Sequence, residues 1–336
     1  MKKKISLILA LLLIVSLALT ACDKSSPTPE ETPEYLYASD INDKTKAEVD
    51  EVLATFMQAF EENNPSLAAP IFSSGFNATE DDIGTFFSEV AKLVDKPFIL
   101  YDSYYVDNLT VSEAPIKIKK SESTGDFIEI TPASKEIYCA MYVSEGEKIS
   151  RMMTILLAKE GGKFKITWIA PTDFKYNGED APALYKKTQA LSDEGKLFAA
   201  YVSSCMLGNI LRPGSFFRYE NDLDMEDLCY KLFADISGTH KLPLALSETT
   251  NSSIYEIGIA NDDEHGILPM IFYKTDVPVD NEEQLRTESE KVLAAIEKLS
   301  PGLSENFEYI RFEATNDEIT EETTTINKKV LNLKTR

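Results

Sequence analysis

From residue 45 onward, apolar residues recur three and four positions apart, which is the spacing of an amphipathic helix. Thr45 and Glu48 fit a capping box at the start of this helix, and Asn63-Asn64-Pro65 ends it. A second capping box, Thr79 with Asp82, opens a later helix. Each helix therefore has one apolar stripe to bury. The stripes comprise Val49, Val52, Leu53, Phe56, Met57 and Phe60 in the first helix, and Ile83, Phe86, Phe87, Val90 and Leu93 in the later one.

The pattern then changes to a period of two, which predicts β-strands. Residues 98–106 are rich in aromatic and other strand-forming types. Residues 136–143 place Ile137, Cys139, Met141 and Val143 on one face. Short loops with glycine, at 144–147 and 160–162, can turn each strand back on the last, which predicts an antiparallel meander. Helices followed by a curved antiparallel sheet define an α+β fold.

The second half predicts a further, smaller α+β domain. Pro182 fits the first turn of a helix that continues to Arg212, because the first turn does not use the N–H that proline lacks. Later elements follow in the order β-β-α-β. Their predicted ranges are 254–259, 268–273, 282–299 and 307–314, preceded by a helix at 222–236. The Thr- and Glu-rich tail from Asn316 is predicted to be loosely held.

The order of the predicted elements in the first domain is similar to that of a known superfamily. Roughly residues 44–175 contain a long amphipathic helix, a shorter one and a meander, and the meander ends in the strand Gly162-Lys163-Phe164-Lys165-Ile166-Thr167-Trp168-Ile169. This order of elements resembles the NTF2-like (cystatin-like) superfamily. The resemblance implies a bent sheet wrapped around the first helix as a cone. Some members of that superfamily are isomerases or dehydratases that use acids in the cone, and others only bind ligands or proteins. Relative to that pattern, residues 107–132 form a long insertion.

The N-terminus combines lysines at positions 2–4 with an apolar run of 16 residues, Ile5 to Thr20. This run is shorter than the roughly 20 residues of a membrane-spanning helix. A basic start, a short apolar run and small residues are typical of a secretory signal. The ending Leu19-Thr20-Ala21-Cys22 resembles the lipobox of bacterial lipoproteins. An ordinary signal peptide with an incidental cysteine, or a core helix, is the alternative.

The lipobox resemblance implies that the thiol of Cys22 takes a diacylglyceryl group and that Cys22 becomes the mature N-terminus. Two acyl chains hold a protein on the membrane where one binds only marginally. Residues 23–34 contain three prolines and almost no apolar residue, which predicts a disordered tether. The predicted organisation is a signal peptide at 1–21, a tether at 22–43, an NTF2-like domain at 44–178 and a C-terminal α+β domain at 179–336.

The net charge limits the partners. The formal charge is −22, and loss of a signal with three lysines would make it −25. Nucleic acid and anionic lipid would repel such a protein. We therefore predict no nucleic-acid partner, and attachment to the outer face of the cell membrane through the acyl group alone.

The remaining cysteines predict no metal site. Cys139 lies among apolar residues and is predicted to be a buried free thiol. Cys205 and Cys229 fall on adjacent predicted helices, so the spacing leaves a disulfide between them open. The chain has no Cys-x-x-Cys pair and only two histidines.

Motifs for catalysis are absent from the sequence: it has no Gly-x-Ser-x-Gly elbow, no His-Glu-x-x-His and no Gly-x-x-x-x-Gly-Lys loop. His240 and His265 lie in loop-like segments and are predicted to be solvated. The alternating acids from Asp222 resemble the start of a calcium loop, but Asp227 stands where that loop needs glycine and Phe233 where it needs an acid. These acids are instead predicted to begin a helix, where its dipole favours them. No cofactor is predicted.

One cluster remains as a speculative cavity site. Tyr101, Asp102, Tyr104 and Tyr105 are adjacent on a predicted strand. In a cone-shaped sheet, alternate members would face the cavity, and a buried acid beside phenols can transfer protons. Tyrosine is also simply common in half-exposed strands.

These features favour a non-catalytic, lipid-anchored extracytoplasmic module that binds a protein, a peptide or a small ligand. A ketosteroid-isomerase-like enzyme with an acid in the cone is one alternative. A transporter's solute-binding lipoprotein is another, although such proteins are built from parallel β-α units, and the hairpin-rich pattern disfavours it.

Overall fold

The fold is described from a computed structural model, which covers residues 34–37, 41–107, 115–119, 125–131, 134–214, 216–246, 251–319 and 326–335. The predicted signal peptide, Cys22 and most of the predicted tether lie outside these ranges. Within the ranges, no helix has both the length and the apolar character needed to cross a bilayer.

The N-terminal helices are α1 (Asp43–Glu61), the short α2 (Pro65–Ala68) and α3 (Glu80–Ala91). The start of α1 differs from the prediction. Its N-cap is Asn42, whose side chain accepts a hydrogen bond from the backbone N–H of Thr45 at 2.9 Å. Asparagine caps as well as threonine, and the Thr45 side chain is buried instead. The predicted capping box of Thr79 and Asp82 is confirmed at the start of α3.

The first sheet has five antiparallel strands in the order β1-β2-β5-β6-β7. Their ranges are Glu34–Tyr37, Ile99–Asp107, Ile137–Ser144, Ile149–Glu160 and Lys163–Tyr176. The predicted meander is confirmed from β5 to β7. Strand β1 lies in the segment predicted to be a disordered tether, where it pairs with the end of β2.

Both faces of this sheet are buried. Tyr138 and Ala140 pack with the stripes of α1 and α3, whereas Cys139 and Met141 belong to a second apolar cluster that extends into the later helices and strands. The predicted shared face of Ile137, Cys139, Met141 and Val143 is confirmed. It points away from α1.

A three-stranded sheet, which the sequence did not predict, occupies part of the insertion. Strands β3 (Ile116–Lys119) and β4 (Asp126–Ile130) pair with each other, and β4 pairs with β8 (Phe217–Tyr219) from the second half. Strands of three to five residues give too few alternations to reveal a period. The insertion therefore joins the two halves of the chain.

The single helix predicted from Pro182 to Arg212 is two helices, α4 (Ala181–Asp193) and α5 (Leu197–Ile210). Gly195 interrupts them with φ of +74°, a backbone conformation that other residues rarely adopt. The apolar spacing continues across the break, which is why the pattern did not reveal it. Helix α6 (Asp222–Thr239) starts where predicted.

The C-terminal sheet has the strand order β13-β12-β11-β10-β9. Strands β11 and β12 are parallel, and helix α7 connects them; the other neighbours are antiparallel. The predicted β-β-α-β order is confirmed. The ranges are β9 (Leu244–Ala245), β10 (Ser253–Asp262), β11 (Gly266–Lys274), α7 (Glu282–Leu299), α8 (Leu303–Asn306), β12 (Tyr309–Thr315) and β13 (Lys329–Lys334).

The prediction of a loosely held tail is wrong for β13. Leu331 and Leu333 are buried there and pair in register with Phe312 and Ile310 of β12. Only two leucines alternate here, which is too short a pattern to predict a strand. The Thr- and Glu-rich residues before them favoured the prediction of a loose tail.

The fold is thus mixed α+β, and the largely antiparallel sheets of the described residues do not close into a barrel. The described residues from Glu34 onward form one compact unit, and one apolar cluster includes side chains from both sides of the predicted boundary at 178/179. The division into two domains stays a prediction.

Candidate functional site

The four residues predicted to line a cavity lie on different faces of the first sheet. A bulge between Leu100 and Asp102 shifts the register of β2. Tyr104 then lies opposite Cys139, on the face that points away from α1, whereas Tyr105 lies opposite Tyr138 on the face toward α1. The ring of Tyr101 meets that of Phe174 edge-on at 5.6 Å, on the same side as Tyr104. Only Tyr105 therefore faces the inside of the predicted cone.

Asp102, which is half-buried, and Tyr104, which is buried, form an acid–phenol pair. The Tyr104 phenol is 1% exposed and donates a hydrogen bond to Asp102. Burial is the main reason that the pKa of Tyr104 lies above its ordinary value, and the charge of Asp102 raises it further. Because Tyr104 is enclosed by the protein, we assign its hydrogen bond to Asp102 a structural role.

Tyr105 is also held within the protein. Its hydroxyl donates to a carboxylate oxygen of Glu136 at 3.0 Å, and the same oxygen pairs with Lys159 at 2.5 Å. Burial raises the pKa of Tyr105, and the hydrogen bond to Glu136 adds to the rise.

The space between α1, α3 and the sheet is filled by aromatic rings. Phe87 meets Phe56 edge-on at 5.6 Å and Phe60 at 5.5 Å, and Phe60 also meets Phe98. On this side of the sheet, the acid beside a phenol is Glu136, which accepts from Tyr105 and pairs with Lys159.

The three cysteines in the described part of the chain are free thiols. Cys139 is buried, as predicted, and burial raises its pKa to about 12. The Cys229 thiol donates to the backbone carbonyl of Ser204 at 3.4 Å, and burial raises its pKa to about 11. The disulfide that the spacing left open between Cys205 and Cys229 is not formed in the structure. No group of three or more Cys, His, Asp or Glu residues suited to a metal ion occurs among the residues that the structure describes.

A cleft of about 480 Å³ lies where the first sheet meets the C-terminal sheet. Its walls come from the β5–β6 loop, the end of β7, helices α4 and α5, the β10–β11 turn and the connection from α8 to β12. Met206, Ile267, Pro269 and Phe307 give it a buried apolar floor.

Asn177 joins the two turns that border the cleft. Its backbone N–H donates to the carbonyl of Lys148 at 2.7 Å, and its side-chain amide donates to the carbonyl of Ile267 at 3.1 Å. Gly266 allows the approach, because a Cβ at that position would lie 2.5 Å from Asn177 Oδ1 and 2.9 Å from Lys148 Cβ. The wall is therefore fixed by contacts between residues almost ninety positions apart.

A stacked pair of rings forms another wall. His265 lies on Tyr309, with centroids 3.8 Å apart and planes at 12°. The backbone N–H of His265 donates to Asp262 at 2.9 Å, and Asn332 donates to the other oxygen of Asp262 at 2.8 Å. Burial alone would raise the pKa of Asp262, but these hydrogen bonds outweigh burial and lower it.

The prediction that His265 is solvated needs correction. Its side chain is 16% exposed, because the stack on Tyr309 covers it. His240 is likewise stacked, on Phe198 at 4.9 Å. The aromatic partners are 44 and 42 positions away, so no local pattern identifies them.

Charges of both signs surround the floor. Lys187 pairs with Glu179 at 2.9 Å, and its ammonium lies 5.4 Å from the centre of the Phe307 ring. Glu147 and Lys148 are exposed at the rim. An apolar floor with an aromatic wall and mixed charges can bind an amphiphilic group, while the lining contains no serine, threonine or cysteine that could act as a nucleophile.

Comparison of the chain with protein-family models, with curated protein sequences and with solved structures gave no significant match. The class that the fold defines is a mixed α+β protein with a cleft between two sheets, and the assignment of a function depends on the cleft and on the sequence.

Proposed function

We propose that this protein is a lipid-anchored extracytoplasmic binding protein without catalytic activity, and that its ligand occupies the cleft beside Tyr309. The observation that carries the proposal is the cleft itself: an apolar floor, a stacked aromatic wall and paired charges in about 480 Å³. Binding sites commonly combine such a floor with a few polar groups that orient the ligand.

The chemistry of the lining favours a short peptide or a similar amphiphile. An apolar or aromatic side chain would lie on the floor of Met206 and Phe307. Charged groups of the ligand would meet Lys148 or Glu147 at the rim. A ligand with one sign of charge would leave half of these rim groups without a partner.

Two further parts of the proposal come from the sequence. The lipobox-like ending at Cys22 supports a diacylglyceryl anchor on the outer face of a bacterial cell membrane. The order of α1, α2, α3 and the meander supports an NTF2-like fold for residues 44–178. Among the described strands only β11 and β12 are parallel, which favours a binding module over a solute-binding protein of parallel β-α units.

The cleft can be tested with the full chain in mild detergent. The probes are the dipeptides Phe-Lys, Phe-Glu, Leu-Lys and Leu-Glu, measured by saturation-transfer NMR. His265→Ala removes half of the stacked wall, and we expect it to weaken binding about fivefold or more. His240→Ala is the matched control, since it removes a stacked histidine elsewhere. Equal binding by both variants, or no binding of any probe by the wild type, would contradict the proposal.

A further inference from the structure

Lys187 and Glu179 form an ion pair beside the apolar floor of the cleft, and we call these two residues the cleft ion pair. The Lys187 ammonium lies 2.9 Å from Glu179 Oε2 and 5.4 Å from the centre of the Phe307 ring. The side chains of Lys187 and Glu179 are 29% and 35% exposed, whereas Glu147 and Lys148 are exposed at the rim. Charges that are partly shielded from water interact more strongly with a ligand than charges at the rim do.

The backbone fixes the positions of both residues. Glu179 closes a tight turn at the end of β7, where its N–H donates to the carbonyl of Tyr176 at 2.9 Å and the N–H of Tyr176 donates back to the carbonyl of Glu179 at 3.0 Å. Asp180 caps helix α4 by accepting from the N–H of Ala183 at 3.0 Å. Lys187 lies on α4 two turns beyond this cap. The two charges are therefore carried by a fixed turn and by a helix.

Each member of the cleft ion pair retains capacity for a further partner. An ammonium has three donors, and a carboxylate has two oxygens that accept. Within the part of the chain that the structure describes, the hydrogen bond between Lys187 and Glu179 uses one donor and one of the two oxygens. The other acid close to the floor, Glu308, pairs with Lys334 at 3.5 Å in an exposed position.

This arrangement discriminates between ligands by their charges. A ligand with only a carboxylate would be attracted by Lys187 and repelled by Glu179, and a ligand with only an ammonium would meet the reverse. A ligand that carries both charges close together can set each against its opposite. In a free α-amino acid, one carbon atom separates the ammonium from the carboxylate, which matches protein charges whose atoms lie 2.9 Å apart. In a dipeptide the two charges lie roughly 3.5 Å further apart.

We propose that the cleft ion pair binds the head group of a free α-amino acid with an apolar side chain. The α-ammonium lies on Glu179, the α-carboxylate lies on Lys187, and the side chain extends over Phe307 towards Met206. This inference rests on the proposed function, and it narrows the ligand from an amphiphile in general to one chemical class. Glu179 and Lys187 then determine specificity, while the floor supplies apolar contact.

The test uses the full chain in mild detergent, with detergent alone as the blank, and titrations followed by saturation-transfer NMR. The probes are L-leucine, leucinamide, which keeps only the ammonium, and 4-methylpentanoate, which keeps only the carboxylate. The variants are Glu179→Gln and Lys187→Gln, each of which removes one charge. The matched control is Lys46→Gln, which breaks an exposed ion pair with Asp50 on α1. Circular dichroism establishes that each variant is folded.

We expect the wild type and the control to bind leucine about tenfold more tightly than either analogue. Glu179→Gln should weaken leucine binding about tenfold and leave 4-methylpentanoate binding unchanged or tighter, because the repulsion of its carboxylate is gone. Lys187→Gln should weaken leucine binding to a similar degree and leave leucinamide binding unchanged or tighter. An ion pair that only stabilises the fold would not produce this exchange of preference.

Equal binding of leucine and its two analogues by the wild type, or equal loss of all three probes in both variants, would overturn the assignment of the cleft ion pair. The dipeptides Leu-Lys and Phe-Glu separate this failure from a failure of the proposed function. If the dipeptides bind and leucine does not, the cleft is a binding site and the ion pair has only a structural role. If neither leucine nor any dipeptide binds, the proposed function and this assignment are both contradicted.

Discussion

At the scale of single residues, the clearest buried charge is Glu313 in β12. It is 9% exposed, and it pairs with Arg311 at 2.9 Å and with Lys328 at 2.9 Å. Burial on its own would raise the pKa of Glu313, but the hydrogen bonds and charges of Lys328 and Arg311 outweigh burial and lower it below 4.5. A buried acid with a lowered pKa contributes stability only while it is ionised.

We therefore predict that Glu313→Gln lowers the free energy of unfolding by about 1–3 kcal/mol at pH 7, because it leaves two cations with a weaker partner. The contribution is present above the ordinary pKa of 4.5 and is lost as the pH falls through the lower value in the folded protein. Urea unfolding at pH 7, 5 and 3.5 should thus show the difference from wild type shrinking below about pH 4.5. Glu308→Gln, at an exposed ion pair, is the control. A difference that stays constant with pH would contradict this account.

At the scale of elements, the cleft depends on two turns fixed against each other. Gly266 has φ of +78°, and an added Cβ would collide with Asn177 and Lys148. Gly161, in the β6–β7 turn, has φ of +60° but open space around it. Comparison of the two positions separates backbone strain from a steric clash.

We predict that Gly266→Ala destabilises the protein by roughly 2–3 kcal/mol, and Gly161→Ala by only about 1–2 kcal/mol, since the latter adds just the strain of a left-handed residue. Thermal unfolding measures both. Gly266→Ala should also weaken dipeptide binding in the cleft, because it separates the turns that Asn177 joins. Equal destabilisation by the two substitutions would mean that the contact between the turns is loose.

The same scale explains what the sequence could reveal. Helix α7 was predicted over its full length, because apolar residues at helical spacing continue up to the stop at Pro301. In the structure the side chain of Asn281 caps its start. The break at Gly195 was missed because the apolar spacing continues through it. The wall of His265 and Tyr309 could not be predicted, since it depends on how the β10–β11 turn packs on the start of β12. Local patterns identify elements, whereas the cleft arises from contacts between distant ones.

At the scale of the whole molecule, charge and anchor have to be considered together. The chain has 56 acidic and 34 basic residues. An anionic membrane surface repels a protein this acidic, so no electrostatic attraction holds the protein there. Added salt should therefore not release the protein from the membrane. If the proposed function is right, membrane attachment depends on the two acyl chains at Cys22 and on nothing else.

We predict that Cys22→Ser moves the protein from the membrane fraction to the soluble fraction of cells. The wild type should stay with membranes through a high-salt wash and leave them only in detergent, because the attachment is hydrophobic rather than ionic. Mass spectrometry of the wild type should find an N-terminal peptide that begins at Cys22 and carries a diacylglyceryl group. Cys139→Ser is the matched control, since it removes a buried thiol and leaves the anchor in place. Release of the wild type by salt alone would show that a charged partner holds it at the membrane. An unmodified Cys22 would contradict the lipid anchor, and the dipeptide-binding experiment would then test the cleft separately.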